Sequence, residues 1–502
     1  MRENARGALP HEFPNPDTAE NVRYQPSFAE LRSLSAPLEM TTEYGGPAYV
    51  SEYRSCSATR TKTDVDDVLT DADREQLCRA QERAREVDLV CVDRMVGRHP
   101  DASYCCRLYV PASHARIALA WAKLLEPAPG GREPDFVTLQ LPDWPETQIR
   151  VLVDDGVTYV LGSDYTGEAK KSFLRLFVHR AKERGGLGLR AGTKRVHVRD
   201  ETGTISTVGQ AFLGLSATGK STLTSHGCWL DAPERAEMLQ DDVCALLPDG
   251  TVAGSEGNGL YVKTIGLTAA EQPDLYRAAT REHAVLENVR IDEDGVVDFA
   301  DGELTTNGRA VVLREDLPSA AADIDLPAVD QLFFITRNPL MPPVARLTRE
   351  QAAVAFVLGE SIQTSAGDPE KAGEAIRVVG TNPFIVGPPG EEGNRFYDLV
   401  TDADVECFVI NTGHLGDGKR DVGVAESVTI LTAVARGNIE WAHDETLGLD
   451  IPASIPGMDV EAFYPPDYVP DFEGALAAVR AERQQYLGRF ETLREELRET
   501  VY

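Results

Sequence analysis

Residues 214–221, GLSATGKS, constrain this chain most, because they match G-x-x-x-x-G-K-[ST] at every fixed position. In such a loop the glycines let backbone N–H groups surround phosphate oxygens, while Lys220 reaches the β- and γ-phosphates and Ser221 ligates their metal ion. Apolar residues 205–213 predict a strand before the loop, and the residues after Lys220 predict a short helix that Gly227 ends. A chance match in a glycine-rich loop is the alternative, but the strand–loop–helix order favours a phosphate site.

Composition excludes several classes of protein. The 502 residues carry 81 acidic and 50 basic side chains, a net charge of −31 with no basic tail, so nucleic acid is not an expected partner. No apolar run approaches the ~18 residues of a membrane span, and no signal peptide opens the chain. Eight scattered cysteines do not form a disulfide framework. We therefore expect a cytoplasmic, monomeric protein with no membrane partner.

Lysine is scarce among the basic residues. The chain has ten lysines against forty arginines, and a strongly acidic, lysine-poor composition is typical of a salt-rich cytoplasm. Half of the lysines lie in the motifs described in this section: Lys170, Lys171, Lys220, Lys263 and Lys419. We interpret this retention as a sign that these residues are used.

Hydrophobic patterning predicts an α/β fold with two mixed α/β domains. Residues 1–195 form the predicted N-terminal, substrate-binding domain, and residues 196–502 form a C-terminal domain that carries the phosphate-loop nucleotide site. Nearly continuous apolar runs at 332–336 and 407–411 are typical of central strands. Helices are predicted over 349–364, 424–436 and 472–497, and a mobile lid loop near 366–396 includes the glycine-rich run 387–393.

Paired carboxylates interrupt an apolar strand at Asp241 and Asp242. Such a pair is costly inside a strand unless it meets a cation, and a phosphate-loop protein needs its second metal ligand at this place in the sequence. An exposed turn at the end of the strand is the alternative.

Several motifs occur in an order that resembles the ATP-dependent phosphoenolpyruvate carboxykinases, from about residue 26 to near the C-terminus. They are GRHP at 97–100, YTGEAKK at 165–171, GLSATGKS at 214–221, DD at 241–242, EG at 256–257 with YVKT at 261–264, LENV at 286–289, PPVARLT at 342–348, and NTG at 411–413 with GKR at 418–420. Ala217 stands where the family usually has a glycine, and Ser221 where it has a threonine.

This resemblance implies a lyase that converts oxaloacetate and ATP into phosphoenolpyruvate, CO₂ and ADP, using Mn²⁺ and Mg²⁺. The catalytic residues it implies are Arg98, Tyr165, Lys171, Lys220 and Arg309. The nucleotide-binding residues it implies are Gly214, Ser216, Ala217, Thr218, Gly219, Lys220, Ser221, Thr222, Lys263, Glu287, Arg309 and Arg420. The metal ligands it implies are Lys171, His197 and Asp242 for Mn²⁺ and Ser221 for Mg²⁺.

Physical reasoning from the residues agrees with this implied function. The substrates are small or anionic, so a chain of charge −31 needs a local cationic pocket, which these lysines and arginines supply. A divalent cation stabilises the enolate left by decarboxylation, and the enolate oxygen attacks the γ-phosphoryl group in line.

The main alternative function is a phosphate-loop protein serine kinase of related fold. Such a kinase needs Lys220 and Asp242 but has no use for the combination of Arg98, Tyr165, Lys171 and His197. Individual residues also have plainer interpretations. Lys170 could be a solvated helix residue, His197 an ordinary strand histidine, and Glu287 a structural ion-pair member.

The charge imbalance predicts a stability that depends on salt. Repulsion among 81 acidic residues should destabilise the folded chain in dilute buffer, and screening should relieve this repulsion. We expect the Tm, measured by differential scanning calorimetry, to rise steeply between roughly 0.1 and 1 M KCl, where the Debye length falls from ~10 to ~3 Å. A flat Tm over this range would contradict the salt-adapted interpretation.

Overall fold

A computed structural model describes residues 11–53, 58–200, 202–215, 218–362 and 375–502. Within these residues the chain is a mixed α/β protein. Its α-helices are α1 (Phe28–Ser35), α2 (Asp71–Glu86), α3 (Ala115–Leu124), α4 (Thr166–Glu183), α5 (Lys220–Ser225), α6 (Pro273–Ala279), α7 (Arg349–Leu358), α8 (Pro389–Asp402), α9 (Val424–Arg436), α10 (Phe472–Leu487) and α11 (Glu495–Glu499). Short 3₁₀ helices lie at Ala36–Leu38, Ala58–Arg60, Ala112–His114, Arg314–Asp316, Val379–Thr381, Glu461–Phe463 and Pro465–Asp467.

The strands of the first part are β1 (Val22–Tyr24), β2 (Met40–Thr41), β3 (Pro47–Tyr49), β4 (Thr61–Thr63), β5 (Leu89–Val96), β6 (Tyr104–Pro111), β7 (Glu126–Pro127), β8 (Phe136–Leu141), β9 (Gln148–Leu152), β10 (Val157–Leu161), β11 (Leu187–Leu189) and β12 (Ala191–Arg199). The middle part adds β13 (Ile205–Leu213), β14 (Arg235–Gln240), β15 (Cys244–Leu246), β16 (Val252–Gly254), β17 (Gly259–Lys263), β18 (Val285–Glu287), β19 (Arg290–Ile291), β20 (Val297–Asp298) and β21 (Arg309–Leu313). The last strands are β22 (Gln331–Thr336), β23 (Val344–Leu347), β24 (Glu360–Ile362), β25 (Ala375–Arg377), β26 (Glu406–Asn411), β27 (His414–Leu415), β28 (Arg420–Asp421), β29 (Glu440–Asp444) and β30 (Leu449–Ser454).

An eight-stranded mixed sheet organises the first part of the chain. Its order is β1-β5-β6-β8-β10-β9-β4, with β7 paired to β5. Helices α3 and α4 bury Trp121, Phe173 and Phe177 against one face. Helix α2 covers the other face with Leu77 and Ala80. Both faces are therefore buried, which explains why β5 and β6 are apolar almost throughout.

A second eight-stranded sheet organises the later part, in the order β14-β12-β13-β22-β26-β23-β30-β29. Its three central strands β13, β22 and β26 run parallel, so their carboxyl ends meet at one edge. Helices α7, α8 and α10 cover one face, and α5 and α9 cover the other with Leu223, Ile430 and Leu431. This parallel centre positions the residues that follow each strand.

Smaller sheets connect the early and late parts of the chain. The strand order β17-β21-β18-β3-β2 places residues 40–49 in one sheet with residues 259–313. A three-stranded sheet β11-β15-β16 and the pairs β19-β20, β24-β25 and β27-β28 complete the pattern. Residue 195, the predicted domain boundary, lies inside β12.

The structure corrects the predicted helix over 349–364. Helix α7 begins with a capping box in which Thr348 accepts from the Gln351 N–H, and it ends at Leu358. Gly359 follows with φ +45°, where an added Cβ would lie 1.6 Å from the Val378 carbonyl oxygen. Glycine thus turns the chain sharply into β24, and residues 363–364 of the predicted helix lie outside the described residues.

The glycine-rich run 387–393 is also different from the prediction, because α8 begins at Pro389. An added Cβ on Gly393 would lie 2.3 Å from a methyl group of Val357, so this glycine allows α8 to pack closely on α7. Near 366–396, residues 366–374 lie outside the described part of the chain, and residues 389–396 are helical. Close packing, and not a turn, accounts for the glycine at position 393.

The predicted C-terminal helix over 472–497 is two helices. Helix α10 ends at Leu487, before Gly488, and α11 begins at Glu495. Leu487, Leu493 and Leu497 all reach the same core, so the break preserves the apolar burial that suggested one long helix.

A buried carboxylate holds this C-terminal region together. The two Glu360 oxygens accept from Arg483 (2.8 and 3.1 Å), Arg377 (2.8 Å) and Asn338 (2.9 Å). Burial acts to raise the pKa of Glu360, but Arg483, Asn338 and Arg377 outweigh it and lower the pKa to about 2. Because the pKa is depressed in the folded state, the stability from this network is present above pH ~4.3, the unfolded value, and is lost as the pH falls towards 2.

We predict that Glu360→Gln destabilises the chain by about 3–5 kcal/mol, because Arg483, 2% exposed, would keep a buried charge without its carboxylate. Denaturant unfolding at neutral pH measures this difference. Glu482→Gln is the matched control, since Glu482 also pairs with Arg377 but is 54% exposed. Equal effects of the two substitutions would contradict the importance of the buried network.

Candidate active site

The site lies where three parallel strands end. Gly214 follows β13, Arg337 follows β22, and Thr412 follows β26. The Thr412 hydroxyl donates to the Thr218 carbonyl at 2.7 Å, which ties the end of β26 to the 214–221 segment. The carboxyl edge of parallel strands is where open α/β sheets hold their ligands.

Residues 218 and 219 lead directly into α5. Gly219 has φ +97°, a conformation that glycine adopts without strain, and Lys220 is the first residue of the helix. The Thr218 hydroxyl donates to the Leu215 carbonyl at 2.8 Å and thereby holds the turn. Ser221 and Thr222 are half-buried in the first turn of α5, whereas Ser216 and Ala217 lie outside the described residues. The predicted strand–loop–helix order is present on both sides of this gap.

Lys220 is buried at the start of α5. Its Nζ donates to the Asp241 carbonyl at 2.7 Å and lies 3.4 Å from the Asp242 Oδ1. Burial lowers the pKa of Lys220, and the charges of Asp242 and Asp241 partly offset this effect. The Asp241 Oδ1 is buried without a hydrogen-bond partner among the described residues.

Asp242 contacts three cations. Its Oδ2 lies 3.0 Å from Lys170 Nζ, and its Oδ1 lies 3.4 Å from both Lys220 Nζ and Arg190 Nε. Burial acts to raise the pKa of Asp242, but these three charges hold it well below its usual range. Sequence reasoning singled out Asp242 and Lys220 but missed Arg190.

Lys170 is buried and bridges two carboxylates. Its Nζ lies 2.9 Å from the Glu256 Oε2 in addition to its contact with Asp242. Burial acts to lower the pKa of Lys170, whereas Asp242 and Glu256 raise it above its usual value. The predicted alternative, a solvated helix lysine, is wrong, because Lys170 is only 6% exposed.

Tyr165, Asn307 and Arg309 form a polar wall beside this cluster. The Asn307 Nδ2 donates to the Tyr165 hydroxyl at 3.1 Å, and Arg309 Nη2 donates to the Asn307 Oδ1 at 2.9 Å. The Arg309 guanidinium also lies 5.2 Å from the ring centre of Tyr261. The side-chain amide of Asn307 thus connects Tyr165 with Arg309, two residues that the sequence predicted for the site.

Lys263 and Arg309 place two cations side by side. They are directly opposite each other on the antiparallel strands β17 and β21. Burial, together with the nearby charges of Arg309 and Arg190, lowers the pKa of Lys263 to about 8. A site with this concentration of positive charge favours an anion.

Glu287 is a structural member of the site. Its Oε1 accepts from Arg116 Nη1 (3.1 Å) and from the Thr166 N–H (3.0 Å) and hydroxyl (2.9 Å). Its Oε2 accepts from the Tyr261 hydroxyl. With four donors already bound, Glu287 supports α4 and β17, which agrees with the structural interpretation of this residue.

Arg98 lies at the rim of the site, 32% exposed at its side chain. It donates to the Glu126 Oε1 (2.8 and 3.1 Å), the Gly257 carbonyl (2.9 Å) and the Ala322 carbonyl (2.6 Å). Gly257 follows Glu256, the partner of Lys170, so Arg98 is linked to the cationic cluster through the backbone.

The predicted Mn²⁺ ligands Lys171, His197 and Asp242 are not brought together. Lys171 Nζ lies 3.4 Å from Glu168 and 5.2 Å from the Tyr165 ring centre. His197 is opposite Arg235 in the β12–β14 ladder, whereas Thr193 is opposite Gln240, so Asp242 lies beyond the other end of the pairing. The His197 ring nitrogens contact Glu237 (3.0 Å) and the Thr207 hydroxyl (2.9 Å). His197 is therefore a strand histidine held by local partners.

Arg420, the residue predicted to lie beside the adenine, is on β28. Its guanidinium carbon is 4.1 Å from the ring centre of Phe463, and its Nε is buried without a hydrogen-bond partner among the described residues. Arg337 was missed by sequence reasoning, although its position directly after the apolar run 332–336 would have indicated it. Its Nε is likewise buried without a partner in the described chain, and burial lowers its pKa.

The fold and this cluster define a mixed α/β protein in which buried and half-buried cations gather near the carboxyl edge of a sheet. A family model described as Phosphoenolpyruvate carboxykinase, of the ATP type, matches residues 63–461. The chain therefore belongs to the ATP-dependent phosphoenolpyruvate carboxykinase family of carboxy-lyases.

Relatives named phosphoenolpyruvate carboxykinase (ATP) agree with this assignment. The Aeropyrum pernix protein is 37% identical over 401 residues, which cover 79% of this chain and 80% of that protein. The Mesorhizobium japonicum protein is 31% identical over 62% of this chain and 57% of its own length. The Bradyrhizobium diazoefficiens protein is 30% identical over 67% of this chain and 62% of its own length.

We predict that the Lys263 amine titrates near pH 8 and that this midpoint rises when ATP binds, because a neighbouring anion favours the ammonium form. Reductive ¹³C-methylation followed by NMR titration measures the midpoint, and Lys263→Arg identifies the resonance by removing it. A midpoint near 10 without nucleotide would contradict the predicted influence of burial and of Arg309.

Proposed function

We propose that this chain decarboxylates oxaloacetate and phosphorylates the resulting enolate with ATP, giving phosphoenolpyruvate, CO₂ and ADP. The observation that carries this proposal is the cluster of cations around Asp242, which includes Lys220 of the 214–221 segment. The Tyr261 ring connects this cluster to Arg309, because its centre lies 5.7 Å from Lys170 Nζ and 5.2 Å from the Arg309 guanidinium. Nucleotide phosphates and a dicarboxylate are both anionic, so one cationic site can hold the two reactants in contact.

In this proposal the triphosphate binds along residues 214–221. Lys220 is freed from the Asp241 carbonyl to contact the β- and γ-phosphates, and the start of α5 offers backbone N–H groups to them. Arg420 lies beside the adenine, on the side of the site formed by β28. The two halves of the site correspond to a two-domain arrangement, with the first large sheet supplying the substrate side and the second the nucleotide side.

The small substrate binds on the side of Tyr165. Arg98 clamps a carboxylate from the rim, Tyr165 contacts the same group, and Arg309 bridges the substrate and the γ-phosphate. Asn307 fixes the relative orientation of Tyr165 and Arg309 through its two hydrogen bonds. Lys263 and Arg309 neutralise the negative charge that develops as the enolate oxygen approaches the phosphoryl group.

A divalent cation accompanies the nucleotide. Ser221 and Asp241 would offer it oxygen donors, and the buried Asp241 Oδ1, which has no hydrogen-bond partner among the described residues, fits a divalent cation. When bound, such an ion neutralises phosphate charge during transfer.

Formation of phosphoenolpyruvate from oxaloacetate in the presence of ATP and a divalent cation tests the proposed function. The product is measured by ³¹P NMR, and ADP and CO₂ should appear in equal amounts. Phosphorylation of a protein serine without consumption of oxaloacetate would support the kinase alternative and overturn this proposal.

We predict that Arg98→Lys lowers kcat/KM for oxaloacetate at least ~10-fold, or about 1.4 kcal/mol, because lysine keeps the charge but loses the two-pronged carboxylate contact. The Kd for ATP without oxaloacetate should barely change. Steady-state kinetics and calorimetry measure the two quantities.

Glu126→Gln is the control for the structural contacts of Arg98, since it removes the ion pair and leaves the guanidinium in place. This variant should retain most of kcat/KM. If it loses as much activity as Arg98→Lys, Arg98 acts by bracing the rim and does not clamp substrate.

A further inference from the structure

We propose that Arg190, together with Lys170, takes the place beside Asp242 where the family resemblance implies a protein-bound Mn²⁺, so that this chain binds divalent metal at its active site only together with nucleotide. The inference rests on the proposed function for its meaning, but its test does not require turnover.

The register of β12 against β14 determines which residue meets Asp242. Thr193 pairs with Gln240 and His197 pairs with Arg235, so the strand runs away from Asp242 as it approaches His197. Arg190 immediately precedes β12, at the end near Asp242. Because seven residues of extended chain span roughly 23 Å, Arg190 and His197 cannot both reach one ion.

Both oxygens of Asp242 are already bound to cations. Oδ2 contacts Lys170 Nζ at 3.0 Å, and Oδ1 contacts Arg190 and Lys220 at 3.4 Å each. An added divalent ion would meet three positive charges within a few ångströms of the carboxylate, and this repulsion opposes its binding. The guanidinium of Arg190 supplies a permanent positive charge at the same place.

The lysine that the resemblance implies as a Mn²⁺ ligand is also unsuitable for that role. A lysine ligates a metal only as a neutral amine, and Lys170, the lysine that faces Asp242, is held as an ammonium by Asp242 and Glu256 at 3.0 and 2.9 Å. Lys171 Nζ also has a carboxylate beside it, the Glu168 Oε1 at 3.4 Å, and it lies 5.2 Å from the centre of the Tyr165 ring. The residues present therefore do not fit a nitrogen-ligated Mn²⁺ at Asp242.

A second possible metal site has to be eliminated before Mn²⁺ at the active site is counted. In the described part of the chain, one trio of metal-type side chains has its ligand atoms within 4.8 Å of one another, namely Asp154, His179 and Glu183. Titrations in a His179→Ala background keep this surface trio from contributing a false site.

The first experiment counts Mn²⁺ by electron paramagnetic resonance and calorimetry in that background. We expect no specific Mn²⁺ site without nucleotide and one Mn²⁺ per chain with a nonhydrolysable ATP analogue. His197→Ala should leave both counts unchanged. A site that forms without nucleotide, or a second Mn²⁺ with the analogue that His197→Ala abolishes, would overturn the inference.

The second experiment converts the arginine into a ligand. Arg190→His removes one cation and offers an imidazole to Asp242, so we expect Mn²⁺ affinity without nucleotide to rise at least ~10-fold, the range that a single well-placed partner contributes. Adding Asp242→Asn to Arg190→His should abolish this gain. No gain in a folded Arg190→His protein, verified by circular dichroism, would count against the inference.

Activity provides a separate measurement. With saturating MgATP, Arg190→Gln should lower kcat at least ~10-fold because a charge beside the phosphoryl group is lost. Arg195→Gln is the matched control, since Arg195 lies on β12, the strand that Arg190 precedes, and has a similar exposure (21% against 20%) but pairs with Glu237. Equal losses in both variants would overturn the role of Arg190. If the wild type forms no phosphoenolpyruvate but the metal counts hold, the proposed function fails and the inference about Asp242 stands.

Discussion

The contact of Asp242 with Lys170, Lys220 and Arg190 is the interaction on which the arrangement of the site depends. The three cations come from α4, from the start of α5 and from the residue before β12, which are far apart in sequence. Without the carboxylate they would repel one another in a partly buried place, where an uncompensated charge is costly. One side chain therefore fixes the relative position of α4, the start of α5 and the residue that leads into β12.

Two other carboxylates also hold together donors from several segments of the chain. Glu287 gathers donors from Arg116, Thr166 and Tyr261, and Glu360 gathers them from Arg377, Arg483 and Asn338. Each of these carboxylates joins segments that are distant in the sequence. In a chain with 81 acidic residues, such buried carboxylates make specific contacts between segments, whereas exposed acidic residues favour solubility.

The sequence was sufficient to predict elements whose signal is local. The apolar runs 332–336 and 407–411 correspond to β22 and β26 within one residue, and the predicted helix 424–436 has the bounds of α9. Contacts between residues that are distant in the sequence were harder to predict. His197 was correctly placed on a strand, but its pairing register with β14 depends on partners forty residues away, so its distance from Asp242 could not be read from its position before the phosphate motif.

Two adjacent lysines on α4 illustrate the same limit of prediction from sequence. Lys170 and Lys171 differ by about 100° around α4, which directs one to Asp242 and the other to Glu168. Motif matching alone cannot distinguish these directions, because both lysines satisfy the pattern. Glycine was ambiguous for a related reason: at Gly359 it ends a helix, whereas at Gly393 it permits two helices to touch.

The scarcity of lysine drew attention to the lysines that lie in motifs. The structure shows that Lys194, which lies outside the motifs, also has a specific role. Lys194 is fully buried, and its ammonium donates to the carbonyls of Leu223 and His226 at the end of α5. Burial lowers its pKa, and the two carbonyls at the helix end that accept from it compensate in part for the loss of water. Helix α5 thus has a buried lysine at each end. Lys220 faces the predicted phosphates, and Lys194 holds the opposite end against β12. The three ammonium hydrogens leave one nitrogen and can meet the two carbonyls and the Cys228 Sγ at 3.6 Å, an arrangement that a planar guanidinium does not reproduce, so the shape of lysine suits position 194 as well as its charge does.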